Sequence, residues 1–94
     1  MRALIWGSTF KKAYKRTVKK YQKLAKDIER TLEQLVEDPF DARLETHKLK
    51  GKLSGTWACR VGYDLRIIFD FVKQADEKED GIFLIEIGTH EEVY

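Results

Sequence analysis

A single proline, Pro39, divides this chain into two parts with different hydrophobic periods. Before it, apolar side chains recur at Phe10, Tyr14, Val18, Tyr21, Ala25, Ile28, Leu32 and Leu35, the spacing of one apolar helix face. After it come three runs that read as strands, Thr56–Val61, Leu65–Val72 and Gly81–Thr89. Residues before proline are driven out of the α region, so the helical part ends at Glu37-Asp38. An unbroken helix would run for roughly 28 residues, against a usual length of about 11–12. Two helices folded as a hairpin are therefore expected, with the break near Lys20-Lys23. Ala3-Leu4-Ile5-Trp6 reads as a short opening strand, and Ser8 or Thr9 is placed to cap the first helix. A charged, glycine-containing loop runs from about Phe40 to Gly55, and Lys73–Asp80 is an exposed connection. The order β-α-α-β-β-β predicts an α+β fold, a helical hairpin packed on a small antiparallel sheet.

Ninety-four residues suffice for one domain, 1–94, which buries roughly 65% of its unfolded surface. The apolar share of 43% is that of a globular chain. No apolar run approaches the ~20 residues of a membrane span, and Met1–Gly7 has no signal-peptide pattern. One cysteine, Cys59, excludes an internal disulfide and suits a reducing cytosol, so a cytoplasmic protein without membrane partners is expected. Its neighbours Ala58 and Val61 predict a buried, inert thiol.

Net charge is only +2, but it is unevenly spread. Residues 1–26 hold nine basic side chains and no acidic one, and residues 43–66 hold six basic against two acidic. From Asp70 to the end there are eight acidic and two basic. A cationic face turned to a polyanion follows, nucleic acid first. Lys11, Lys12, Lys15, Arg16, Lys19 and Lys20 are the candidates for contacts with that polyanion.

Alternation in the strands sharpens this. Trp57, Cys59 and Val61 share one face, as do Leu65, Ile67, Phe69 and Phe71. With a turn at Gly62-Tyr63-Asp64, Arg60 and Arg66 face each other on the opposite side. Like charges directly opposed are destabilising. Either Glu86 or Asp64 is their counter-ion, or the pair awaits an anion. Phe83, Ile85 and Ile87 are expected in the core, which puts Glu86 and His90 on the arginine side.

The string His47-Lys48-Leu49-Lys50-Gly51-Lys52-Leu53-Ser54-Gly55 alternates cations with leucines and has glycines for close backbone approach. It lacks the spacing of a nucleotide P-loop. Two histidines and one cysteine, 12 and 31 residues apart, fit no zinc spacing, so no cofactor is expected. Metal-free RNA cleavage needs a base for the 2′-OH, an acid for the leaving 5′-oxygen and cations for the phosphoryl oxygens. Histidine serves either proton role near neutral pH. Arginine forks onto phosphate, and aromatic rings stack on splayed bases. His47, Asp64, His90, Arg60, Arg66, Tyr94 and Trp57 supply these parts, with Lys48, Lys50 and Lys52 as further phosphate contacts.

Three stretches in order carry a family resemblance. They are His47-x-Leu49-x-Gly51-x-x-x-Gly55, Cys59-Arg60-Val61-Gly62-Tyr63-Asp64-Leu65-Arg66-Ile67-Ile68-Phe69, and Gly88-Thr89-His90-x-x-Val93-Tyr94. Over nearly its whole length the chain resembles RelE/YafQ-type toxins of bacterial type II toxin–antitoxin systems. That resemblance implies the microbial-ribonuclease-like RelE/ParE fold and an mRNA interferase, cutting mRNA in the ribosomal A site and so inhibiting translation. It also implies a small antitoxin that wraps the toxin in a hetero-oligomer. The positions matching His47, Asp64 and His90 serve acid–base chemistry in the YafQ branch, and Tyr94 matches the terminal aromatic that holds substrate. Arg60 stands where YafQ proteins have another histidine and matches the phosphate-stabilising arginine of the RelE branch. Leu65 stands where they have a tryptophan. The alternatives of the same fold are a ParE-type toxin acting on gyrase, which carries no RNA-cleaving set, and a degenerate antitoxin-binding module. Cleavage by the 2′-OH would leave a 2′,3′-cyclic phosphate or 3′-phosphate and a 5′-hydroxyl.

Overall fold

In the computed structural model, residues 2–75 and 77–94 are described, without the side chain of Lys52. The chain runs through β1 (Leu4–Trp6), α1 (Ser8–Lys20), a single 3₁₀ turn at Gln22–Leu24 and α2 (Ala25–Glu37). It continues through a 3₁₀ turn at Ala42–Leu44, β2 (His47–Lys48), another at Gly51–Leu53, β3 (Trp57–Val61), β4 (Leu65–Val72), β5 (Gly81–Thr89) and α3 (His90–Val93). The two-helix hairpin and the three main strands fall where the periodicity places them. The short β2 and α3 are additions that patterning did not show.

The break between the helices needs neither glycine nor proline. Tyr21 N–H still donates to Thr17 O (2.8 Å), and Leu24 N–H then donates to Tyr21 O (2.9 Å), tightening the chain into the 3₁₀ turn. The start of α1 differs from expectation, for its N-cap is Gly7 and no side chain caps it. Gly7 N–H is held by Leu84 O of β5 at 3.1 Å, so the chain leaves the sheet one residue before Ser8.

Strand order in the sheet is β1-β5-β4-β3-β2. The pairs β2–β3, β3–β4 and β4–β5 are antiparallel, while β1 joins the far edge parallel to β5. Parallel neighbours need a long crossover, and the helices with the rest of the sheet provide it. Phe10 and Ala13 of α1 and Ile28, Leu32 and Leu35 of α2 cover one sheet face. They meet Cys59, Val61, Leu65, Ile67 and Phe69, all buried. Each such large apolar side chain contributes roughly 1.5–3 kcal/mol by leaving water.

In β5 the expected core face is corrected. Ile68 pairs with Glu86 but Phe69 pairs with Leu84, so Ile85 is the extra residue of a bulge. A bulge shifts the alternation by one. Ile82, Leu84 and Ile87 therefore enter the core, Phe83 remains 36% exposed and Ile85 is only partly buried. Glu86 keeps its place on the face of Arg66, as the alternation downstream of the bulge requires.

On the side away from α1 and α2, Ala58 and Ile68 are also buried. There α3 folds back against β4 and β5. Gly88 makes this possible, because a Cβ on it would lie 3.1 Å from Glu92 Cβ and 3.2 Å from Val93 Cγ1. The segment leading to β2 is tied to α2 by Arg43, whose Nε and NH2 donate to Asp41 Oδ1 and Oδ2 (both 3.0 Å) and whose NH2 donates to Gln34 Oε1 (2.9 Å).

Candidate active site

Register delivers the two arginines as expected, Arg60 directly opposite Arg66 across β3 and β4. His47 of β2 pairs with Ala58, which places it on the same face as Arg60. The counter-ion is neither Glu86 nor Asp64. It is Glu45, whose Oε2 accepts from Arg60 NH1 at 2.6 Å. Arg60 Nε donates to Gly62 O, also at 2.6 Å, so both sides of the guanidinium are fixed. Arg66 NH1 donates to Leu65 O at 3.0 Å. Patterning missed Glu45 because it lies in a loop with no period. The available signal was its rarity, one of two carboxylates among six cations in residues 43–66.

Glu45 follows the 3₁₀ turn Ala42–Leu44 with a left-handed backbone (φ 49°). That turn of the chain uses the residue twice. Its side chain reaches Arg60, and its carbonyl O accepts from His47 Nδ1 at 3.0 Å. A carbonyl only accepts, so Nδ1 carries a proton and Nε2 is the ring nitrogen left to face the hollow. The Arg60 hydrogen bond, followed by the charges of Arg60 and Arg66, holds the Glu45 carboxyl below its usual value.

Two hollows meet at His47. A small one of about 100 Å³ is lined by Glu45, His47, Arg60 and Arg66. A larger one of about 370 Å³ is lined by His47, Leu49, Lys50, Leu53 and Tyr94. The first is charged and of a size for one phosphoryl group; the second offers apolar and aromatic walls to a flat ring. Gly51 (φ 75°) and Gly55 (φ 93°) shape the lysine loop through left-handed backbone. A Cβ on either would meet nothing within 4 Å, so the backbone angle and not crowding inside the fold calls for glycine there.

At the C-terminal end, a capping box fixes α3. Thr89 N–H donates to Glu92 Oε1 (2.8 Å) and Glu92 N–H donates to Thr89 Oγ1 (3.3 Å). The hydrogen bond from Thr89 lowers the Glu92 carboxyl, with Lys20 and Arg16 of α1 adding to it. This turn sets the His90 ring edge-on to the Tyr94 ring, centroids 4.5 Å apart. Tyr94 is 44% exposed, and burial of the rest pushes its phenol above the ordinary tyrosine value, which keeps it a hydrogen-bond donor at neutral pH. His90 thus reaches the larger hollow through Tyr94.

Among the described residues, the other expected ones lie away from the two hollows. Asp64 is exposed in the β3–β4 turn and lines neither hollow. Leu65 pairs with Thr89, which brings Asp64 level with His90 at the same sheet end. Trp57 lies on the helix side, edge-on to Phe40 (5.4 Å) and Phe71 (5.6 Å). Lys48, opposite it, holds its Nζ 5.9 Å from the Trp57 ring centroid. Neither faces the hollows, because one step along β2 or β3 reverses the face. The contact expected of Lys52 lies outside the described residues. Lys11, Lys12, Lys15, Arg16, Lys19 and Lys20 are all exposed on α1, opposite buried Phe10, Ala13 and Thr17. Cys59 is buried, and burial pushes its thiol up to about 12. Among the described residues, no three His, Cys, Asp or Glu side chains group as a metal site.

Across residues 2–94 the chain matches the family of YafQ, a bacterial toxin of type II toxin–antitoxin systems. YafQ from E. coli strain BL21(DE3) superposes with a TM-score of 0.76 at 19% identity, covering 100% of this chain and 99% of that one. A chain of the E. coli DinJ–YafQ toxin–antitoxin complex gives 0.73 at 20% identity, covering 99% and 97%. A metal-bound toxin from Helicobacter pylori gives 0.76 at 26% identity, covering 100% of both chains. No curated protein is significantly similar in sequence.

Proposed function

Because this chain belongs to the YafQ family of toxins of bacterial type II toxin–antitoxin systems, we propose that it cleaves mRNA on the ribosome with its own side chains as base, acid and electrostatic clamp. One observation carries the reading: His47 stands between a cationic hollow and an apolar one, with Nε2 free. The scissile phosphate enters the first, against Arg60 and Arg66. The nucleobase on its 5′ side lies in the second, against Leu49, Leu53 and Tyr94. The ribose between them brings its 2′-OH to His47.

Nε2 of His47 takes the 2′-OH proton, and O2′ attacks phosphorus. Arg60 and Arg66 stabilise the charge gathering on the non-bridging oxygens. As the P–O5′ bond breaks, its electron pair leaves on the 5′-oxygen, which takes a proton from the His90–Tyr94 pair. Asp64, level with His90, supports the protonated ring. The products are a 2′,3′-cyclic phosphate and a 5′-hydroxyl. Lys50 holds a flanking phosphate, and the exposed cations of α1 hold ribosomal RNA. The partner is a cognate antitoxin, as E. coli YafQ has DinJ.

Purified protein added to programmed ribosomes tests this by mapping of the mRNA ends. Cuts within the A-site codon with 5′-hydroxyl ends are expected, and a 2′-deoxyribose at the cut position should bind and remain whole. Cleavage of that substrate, or 5′-phosphate ends, refutes the mechanism.

A further inference from the structure

One wall of the hollow assigned to the scissile phosphate is already an anion from the protein itself. Glu45 Oε2 lies 2.6 Å from Arg60 NH1, among the same four side chains that line the hollow. Arg66, the second cation there, donates from NH1 to the Leu65 carbonyl. We propose that Glu45 is a built-in competitor for the phosphate, its carboxylate holding in the free toxin the Arg60 edge that the phosphate takes and swinging out when RNA enters. The proposal rests on the reading of this hollow as the phosphate site.

Three features make the exchange possible without disturbing the rest. The Glu45 side chain is 58% exposed, so solvent is open to it. Its carbonyl, not its carboxylate, fixes the His47 tautomer at 3.0 Å, and that bond stays when the side chain leaves. Arg60 stays aimed as well, because Nε is anchored on Gly62 O at 2.6 Å while NH1 is released. The departing carboxylate and the arriving phosphate are both oxygen acceptors for the same guanidinium edge. An exposed ion pair is a weak competitor. It therefore raises the threshold for isolated phosphates and yields to a polyanion held in place by the α1 cations.

The test uses the full chain with inorganic phosphate as probe, at constant ionic strength. Arg60 Nε–H is followed by NMR. In Glu45→Gln, isosteric and neutral, the half-saturating phosphate concentration should fall by up to about fivefold, the range expected when an exposed ion pair is removed. Glu45→Gly, which suits the left-handed backbone better, should show the same fall. The half-saturating concentration of programmed ribosomes should fall in parallel. Unchanged or weaker phosphate binding in both variants overturns the proposal. So does a tenfold or greater loss of maximal single-turnover rate, which would place Glu45 in the chemistry. If the wild-type protein cut no mRNA, the ribonuclease reading would fail, yet the phosphate titration would still decide the role of Glu45.

Discussion

Arg60→Ala removes the one side chain that the fold fixes from two sides over the small hollow. Its guanidinium holds Gly62 O with Nε and Glu45 with NH1, both at 2.6 Å, so it is oriented before substrate arrives. A preorganised donor aimed at developing charge typically contributes about 10²–10³-fold to the rate. That is the loss expected in single-turnover cleavage on programmed ribosomes, followed by quenching and end mapping. Thermal stability should hardly change, because the Arg60 side chain is 40% exposed and its ion pair faces water. The melting midpoint should move by no more than about 4 °C. Arg60→Lys is the informative control. It keeps the charge, but an ammonium has no second edge with which to hold Gly62 O while meeting phosphate. It should recover only part of the lost rate and stay below about a tenth of wild type. A folded Arg60→Ala protein cutting within about threefold of the wild-type rate would refute the clamp. Full recovery by lysine would show that charge alone suffices and that the fork geometry is irrelevant.

His47→Ala and His90→Ala should each lower the single-turnover rate by about 10²–10⁴-fold, with circular dichroism unchanged; loss of the helical signal would mean a structural role instead. Reversing Lys11, Lys15 and Lys19 to glutamate should weaken ribosome binding and flatten its dependence on salt, measured by co-sedimentation; equal affinity would mark the face as merely solvated. Cys59 should resist a thiol reagent at pH 8 in the native protein and react at once in denaturant, since burial holds its thiol up to about 12. The sign follows from linkage: a raised folded value stabilises fully below the unfolded pKa of about 8.5 and is lost as pH climbs toward the folded value. Denaturation midpoints should therefore decline between pH 8 and 11 in the wild type and less in Cys59→Ala; rapid modification at pH 8 would contradict the burial.

Local pattern fixed a good deal of this molecule in advance. The helical spacing from Phe10 to Leu35 and the stop at Pro39 set both helices, and alternation set β3, β4 and the opposition of Arg60 to Arg66. Those features depend on residues a few positions apart, whose geometry the backbone period dictates. Tertiary structure alone decided the rest. The bulge at Ile85 placed Ile82 and Leu84 in the core in place of Phe83, because pairing with β4 overrode simple alternation. Two residues of β2 decided that His47 faces the arginines while Lys48 faces Trp57. Gly88 let α3 fold back and bring His90 to Tyr94. Glu45 met Arg60 from 15 residues away through one left-handed backbone angle. Each of these is set by a turn, a bulge or packing between elements that no local period records.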